Sequence, residues 1–157
     1  MEMYHFRTEW HVRAPVERAW QTVVEAERWP EWGKGFRRVT VRGTETRLHS
    51  GAVVDAEVRG ALPYTLRFTF VVDRFEPPHV LTTRPTGDLV GEGKWEIAPA
   101  DDGSNVFYYW DVGLTNRFMD ALSRLSLTKR MLAWNHDHVM NEAYHGFRRQ
   151  TELVGRR

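Results

Sequence analysis

The sequence contains no cysteine, so disulfide bonds, thiolate nucleophiles and thiolate metal sites are excluded. It also lacks an excess of charge of one sign: 22 basic and 21 acidic residues give a formal net charge of +1, which argues against a nucleic-acid partner. Long hydrophobic runs are absent, whereas a transmembrane helix needs about 20 apolar residues. The first residues, MEMYHFRTEW, carry no apolar run typical of a signal peptide. We therefore expect a cytoplasmic protein with no transmembrane segment.

Aromatic residues are plentiful by contrast. Seven Trp, eight Phe and five Tyr make up 13% of the chain. Such rings fill hydrophobic cores or line pockets for flat apolar ligands, and composition leaves both uses open. The length of 157 residues is that of one domain, and no linker, repeat or low-complexity stretch interrupts the sequence. We therefore treat residues 1–157 as a single domain.

Alternation of apolar and polar residues predicts seven strands. The first precedes a short helix that begins at Pro15 and ends near Trp29 and Pro30, and the other six follow one another through short turns, as in antiparallel hairpins. From Asn116 onward the pattern is helical, with a break around Ser126–Lys129 and a main helix over about 128–154. This order predicts an α+β fold in which a curved sheet covers a long C-terminal helix. The predicted strands cover 4–13, 37–47, 52–59, 64–75, 79–86, 90–98 and 104–113.

Three segments resemble a known family. They are APVERAWQTVVEAERWPEW over 14–32, GDLVGEGKWEI over 87–97 and WNHDHVM over 134–140, with Gly146 and the basic pair Arg148-Arg149 beyond them. The third is the most specific, because an aromatic-Asn-His-Asp run is not an ordinary helix surface. On these segments the chain resembles, nearly end to end, the polyketide cyclase/dehydrase-like members of the START-related (SRPBCC) superfamily.

The resemblance implies a helix-grip fold: a curved seven-stranded antiparallel sheet that grips the C-terminal helix around an apolar pocket. It also implies that no metal ion or organic cofactor is required. It does not imply a reaction, since the superfamily includes lipid carriers, hormone receptors and chaperone activators as well as members that steer aromatic ring closure.

The long helix carries one polar residue at the centre of its apolar stripe, His136. It is a core histidine with a hydrogen-bond partner, a residue of the pocket wall, or a general base, and it is the one catalytic candidate in the sequence. Steps of 100° per residue define the stripe. Its members are Leu132, Ala133, His136, Val139, Met140, Ala143, Tyr144, Gly146, Phe147, Gln150 and Val154.

The expected wall of the ligand pocket combines rings from the strands with residues of the helix stripe. On the last strand both rows carry rings, and we favour Tyr108 and Trp110 over Phe107 and Tyr109 as the inward row. Arg84 either places a cation at the pocket or is solvated surface, depending on the orientation of its row. The predicted ligand-binding residues are Phe68, Phe70, Arg84, Trp95, Tyr108, Trp110, His136, Met140 and Tyr144.

Other polar residues of the helix are expected to be structural. Asp137 flanks the stripe within reach of Arg130 and Arg148, and we predict a partly buried ion pair. His138, Glu142 and His145 share a spacing that could hold a metal ion, but they lie on the face turned away from the sheet. We therefore predict no functional metal site.

Three functions are compatible with these observations. The leading one is the binding of a small apolar or aromatic molecule, lipid-like or polyketide-like. The second is an enzyme of the cyclase or dehydratase type, in which His136, with Asp137 or Arg84, handles protons. The third is a protein–protein interaction module with a vestigial pocket. The sequence leaves the oligomeric state open, a homodimer included.

Overall fold

The computed structural model describes residues 3–123 and 129–154, and its strands form one seven-stranded antiparallel sheet. The helix-grip prediction is confirmed: the sheet curves around the long C-terminal helix. The strands are β1 (Met3–Val12), β2 (Phe36–Val41), β3 (Val53–Val58), β4 (Leu66–Glu76), β5 (Val80–Gly87), β6 (Leu89–Ala100) and β7 (Gly103–Leu114). The helices are α1 (Val16–Val24), α2 (Trp29–Trp32), α3 (Asn116–Ser123) and α4 (Lys129–Val154), with a 3-10 turn at Ala26–Arg28.

The sheet order is β1-β7-β6-β5-β4-β3-β2, so the first strand closes the sheet beside the last one. Every other neighbouring pair is consecutive along the chain, because short turns join antiparallel strands most directly. Alternate residues of β4 confirm which face is buried: Phe70 and Val72 are buried, whereas Arg67 and Val71 are exposed. The concave face therefore carries the apolar row.

Two predicted boundaries differ from the structure by more than two residues. β2 ends at Val41 rather than at residue 47, because residues 42–47 are exposed and Gly43 has a φ of 95°, which ends the strand in a turn. The first helix ends at Val24, and Pro30 lies in the first turn of α2, where a missing N–H costs no helical hydrogen bond. The predicted break around Ser126–Lys129 falls largely on residues 124–128, which lie outside the described ranges.

Helix α4 packs its apolar stripe on the concave face, as predicted. Phe147 is 0% exposed, and its ring centroid lies 5.1 Å from that of Trp10 and 5.2 Å from that of Trp32. Gly146 allows this approach, because a Cβ atom there would collide with the carbonyl oxygen of Trp32. None of the helices in the described ranges is both long and apolar enough to cross a membrane.

Truncating the buried ring should destabilise the fold strongly. Phe147→Ala removes a fully buried ring and leaves a cavity between Trp10 and Trp32, so we expect a loss of about 3–5 kcal/mol in the free energy of unfolding. Trp134 lies on the outer side of the same helix and is 54% exposed, so Trp134→Ala should cost about 1 kcal/mol or less. Urea unfolding of both variants provides the measurement. Equal losses would show that the stripe does not hold α4 on the sheet.

Candidate functional site

A cavity of about 80 Å³ lies between the concave sheet face and α4, and we call it the inner cavity. One water needs about 10–15 Å³, so the space exceeds the small voids of a close-packed core. Its wall is mostly aromatic and aliphatic. The lining residues are Trp29, Phe36, Ala56, Val58, Tyr64, Leu66, Phe68, Phe70, Thr83, Pro85, Trp95, Tyr108, Trp110, Asn135, His136, Val139 and Met140.

Seven of the nine predicted ligand-binding residues line the inner cavity. The strand residues among them all belong to the row of side chains that faces α4, because side chains alternate between the two faces of a strand. The two helix residues, His136 and Met140, lie one turn apart on the apolar stripe. On β7, Tyr108 and Trp110 form the inward row, whereas Tyr109 lies beneath the Arg7 guanidinium on the other face. The seven are Phe68, Phe70, Trp95, Tyr108, Trp110, His136 and Met140.

Arg84 does not reach the inner cavity. Its neighbours Thr83 and Pro85 line the wall, and because side chains alternate across a strand, Arg84 points to the convex face. There its side chain is 67% exposed, and its Nε lies 3.0 Å from Oδ2 of Asp73. Of the two alternatives for Arg84, the structure shows the surface one.

Tyr144 is also absent from the wall, although it lies on the predicted stripe. Its ring stacks on Trp10 at a centroid distance of 5.7 Å, and its hydroxyl donates to the carbonyl oxygen of His11 at 3.0 Å. Tyr144 lies one turn beyond Met140, where the core around Trp10 and Phe147 is filled. Its predicted place in the pocket is therefore wrong: it packs against β1.

His136 presents unpaired polar atoms to the site. Its ring stacks on Phe6 at a centroid distance of 3.7 Å and on Trp110 at 5.6 Å. Its side chain is 10% exposed, and neither ring nitrogen has a hydrogen-bond partner. The nearest carboxylate oxygen, Oδ1 of Asp137, lies 3.6 Å from Nδ1, which is longer than a hydrogen bond. Of the three roles predicted for His136, a core histidine satisfied by a partner does not fit this geometry.

Burial determines the protonation states of His136 and Tyr108 in the wall. It lowers the pKa of His136 to about 4, because the cost of desolvating imidazolium outweighs the attraction of the Asp137 carboxylate. It raises the pKa of the Tyr108 hydroxyl well above its usual range. At neutral pH the wall therefore offers a neutral imidazole, with one N–H donor and one acceptor nitrogen, and a protonated phenol.

Asn135 is a site residue that the sequence reasoning missed. Its Oδ1 accepts hydrogen bonds from the backbone N–H groups of Ala61 (2.8 Å) and Leu62 (3.3 Å), and its Nδ2 donates to the Tyr64 hydroxyl at 2.8 Å. One side chain thus connects α4, the β3–β4 loop and the cavity wall. Its position in the sequence indicates a buried polar residue, because Asn135 lies one turn before Val139 on the apolar side of the helix.

The remaining polar predictions for α4 concern its outer surface. Asp137 is 78% exposed and Arg148 contacts Glu152 at 3.5 Å, so the predicted partly buried ion pair of Asp137 is wrong. The helix directs residue 137 one step beyond the buried stripe, into solvent. His138 Nε2 lies 3.4 Å from Glu142 Oε1. Within the described ranges, no three His, Asp or Glu side chains converge as metal ligands.

Protonation of His136 should contribute to acid denaturation. Its pKa is about 4 in the folded protein and about 6.5 in the unfolded chain, so the unfolded state binds more protons between these values. The free energy of unfolding should therefore fall as the pH decreases from about 6.5 to about 4. At about 1.4 kcal/mol per pKa unit, His136→Leu should remove about 3 kcal/mol of this loss.

Urea unfolding at pH 7 and at pH 4.5 measures this component. Asp137→Asn is the matched control, because it removes an exposed carboxylate and leaves the buried imidazole in place. It should retain the acid-induced loss or increase it, because the Asp137 carboxylate raises the pKa of His136. If the free energy of unfolding falls equally in the parent protein and in His136→Leu, the claim that His136 is buried as a neutral imidazole is contradicted.

Asn135 should contribute to stability through the loop that it holds. Asn135→Ala leaves two backbone N–H groups and the Tyr64 hydroxyl without their partner, so we expect a loss of about 2–3 kcal/mol in the free energy of unfolding. Asn141→Ala, at an exposed position of the same helix, should change it by about 0.5 kcal/mol or less. Thermal unfolding of the two variants makes the comparison, and similar midpoints would show that the amide does not hold the loop.

Solved structures with the same architecture include two proteins named for aromatase/cyclase activity. Zhui aromatase/cyclase from Streptomyces sp. R1128 has a TM-score of 0.77 at 17% identity, over 96% of this chain and 94% of that one. The di-domain ARO/CYC BexL from the BE-7585A biosynthetic pathway has a TM-score of 0.74 at 15% identity, over 96% of this chain and 50% of BexL. TTHA0849 from Thermus thermophilus has a TM-score of 0.76 at 16% identity, over 96% and 99%. This chain thus spans half of BexL, and these identities show a common fold alone.

Sequence comparison identifies the family. Comparison with curated proteins gives no match. Residues 3–140, from the first strand to the middle of α4, match the family described as polyketide cyclase/dehydrase and lipid transport. Because this match covers most of the chain, the protein belongs to that family.

Proposed function

We propose that the protein binds a small, uncharged aromatic or apolar molecule that carries an oxygen atom, and that the inner cavity is its binding site. The observation that carries the proposal is the buried imidazole of His136, whose two nitrogens have no hydrogen-bond partner in a largely apolar wall. Buried polar groups are normally hydrogen-bonded. A ligand oxygen at His136 would accept from the imidazole N–H and give one of the two nitrogens a partner.

The charge of the wall supports a neutral ligand. Among the described residues that line the inner cavity there is no Lys, Arg, Asp or Glu, and His136 is neutral at pH 7 because of its lowered pKa. A carboxylate placed there would lose its hydration without gaining a cation. Since Arg84 lies on the convex face, it supplies no counter-charge. The wall thus favours neutral over anionic ligands.

The rings of the wall support a flat ligand. Trp95 and Tyr108 lie 4.3 Å apart by ring centroids, and Trp29 stacks on Phe70 at 6.1 Å. Aromatic surfaces of this kind bury large apolar area and prefer offset or edge contacts with a further ring. Pockets for small molecules combine such walls with a few polar groups that fix orientation. Thr83, Tyr108 and His136 would serve as those groups here.

An enzyme of the cyclase or dehydratase type is the second candidate. Zhui and BexL are named as aromatase/cyclases, and His136 carries a free nitrogen that could accept a proton from a bound substrate. With a pKa of about 4, however, that nitrogen is a weak base at neutral pH. We therefore propose ligand binding as the first candidate function and turnover of a polyketide-like substrate as the second.

Three matched ligands test the proposal: 2-naphthol, naphthalene and 2-naphthoate. Binding should quench tryptophan fluorescence, because Trp29, Trp95 and Trp110 line the cavity. We expect 2-naphthol to bind most tightly and 2-naphthoate least. His136→Leu should weaken 2-naphthol by about 1–3 kcal/mol through the lost hydrogen bond, and leave naphthalene equal or tighter.

His138→Leu is the control, because it makes the same replacement on the outer side of α4 and should change no affinity. Circular dichroism checks that each variant folds. Equal weakening of 2-naphthol and naphthalene in His136→Leu would show that the imidazole only packs. Failure of the parent protein to bind any of the three would contradict the proposal and favour the interaction module.

A further inference from the structure

A second apolar pocket lies directly beside the inner cavity, and we call it the outer pocket. Its volume is about 50 Å³. The two spaces have four wall residues in common: Tyr64, Leu66, Trp110 and His136. The outer pocket is lined by Tyr4, Phe6, Tyr64, Leu66, Leu89, Trp110, Val112, Leu114, Phe118, Leu132 and His136.

The outer pocket differs from the inner cavity in the chemistry of its wall. Of the seven residues that line only this pocket, four are aliphatic and three are aromatic: Leu89, Val112, Leu114 and Leu132, and Tyr4, Phe6 and Phe118. Leu89, Val112 and Phe118 belong to a small hydrophobic cluster of their own, separate from the main core. Cores are normally packed without voids of this size. A small apolar space with Leu89, Val112, Leu114 and Leu132 in its wall suits a flexible hydrocarbon chain better than a polar group.

His136 stands at the junction of the two spaces. Its ring is stacked on Phe6, which lines only the outer pocket, and on Trp110, which lines both. The imidazole of His136 therefore lies at the boundary between the two spaces. A ligand oxygen bound there would sit between a part in the inner cavity and a part in the outer pocket.

We infer that the outer pocket is the second compartment of the ligand site, and that the ligand is elongated: a flat ring system, a neutral oxygen at the junction, and an aliphatic chain. The ring would occupy the inner cavity, the oxygen would meet His136, and the chain would extend toward Leu114 and Leu132. This inference rests on the proposed function. An aryl alkyl ketone has this order of groups and provides a simple probe.

Two ketones of different chain length test the inference. Acetophenone carries a single methyl group beyond the carbonyl, whereas hexanophenone has a chain four methylenes longer. Burial of a methylene contributes about 0.8 kcal/mol, which is roughly fourfold in affinity. If at least two methylenes enter the outer pocket, hexanophenone should bind about tenfold or more tightly than acetophenone. Fluorescence titration with the parent protein measures the ratio.

Filling the outer pocket should remove this gain without affecting the short ketone. We expect Leu132→Trp, and independently Leu114→Phe, to reduce the affinity ratio to about threefold or less while acetophenone binds as in the parent. The two substitutions lie on different elements, so the test can still be made if one of the variants does not fold. Glu142→Trp, at an exposed position of α4, is the matched control and should keep the full ratio.

The outcomes separate this inference from the proposed function. If both ketones bind the parent with equal affinity, or if the chain-length gain survives both fillings, the second compartment is refuted while the inner cavity remains a ligand site. Ala56→Leu fills the inner cavity alone and should weaken both ketones together by about tenfold or more. If neither ketone binds the parent protein, the inference and the proposed function fail together.

Discussion

The site depends on how α4 is held on the concave sheet. Toward its C-terminal end the helix approaches α2 so closely that residue 146 must be glycine, because a Cβ atom would meet the carbonyl oxygen of Trp32. Toward its N-terminal end Asn135 binds the loop after β3, and the absence of a side chain at Gly60 makes room for its amide. At about 1.5 Å per residue the two contacts are roughly 16 Å apart along the helix. His136 and Met140 span the interval, and the cavity lies beneath them.

Charged side chains lie on the convex face of the sheet, while the concave face is covered by α4. Convex-face residues pair with one another across neighbouring strands, as Arg42 does with Asp55 and Arg84 with Asp73. Such exposed pairs contribute little to stability, but the pleat that places them outside leaves apolar residues and neutral hydrogen-bonding groups inside. His136 is neutral because it is buried in this environment. A wall of this kind distinguishes ligands by shape and by a few neutral hydrogen bonds.

The sequence predicted the elements because strand and helix periods are local properties: seven alternating runs and one long helical stripe indicated an α+β fold, and the family resemblance implied the helix-grip arrangement. The site was harder to predict, because it depends on packing between distant segments. The alternation of residues along the strand could not show whether the row that contains Arg84 faces the cavity or the solvent. Tyr144 shares the stripe with Met140, but whether it meets a cavity or a filled core depends on Trp10, more than a hundred residues earlier. Asn135 acquires its role only when the loop at 60–64 folds back onto the helix.

The most direct test of the account is to map where a ligand binds by NMR. Titration of 2-naphthol into ¹⁵N-labelled protein should shift the backbone amide signals of cavity residues such as Ala56, Phe70 and Thr83, together with the imidazole nitrogens of His136. Signals of the convex face, such as those of Thr40 and Arg67, should not move. Shifts confined to the convex face, or binding that leaves the His136 imidazole unchanged, would contradict a neutral ligand site between the sheet and α4.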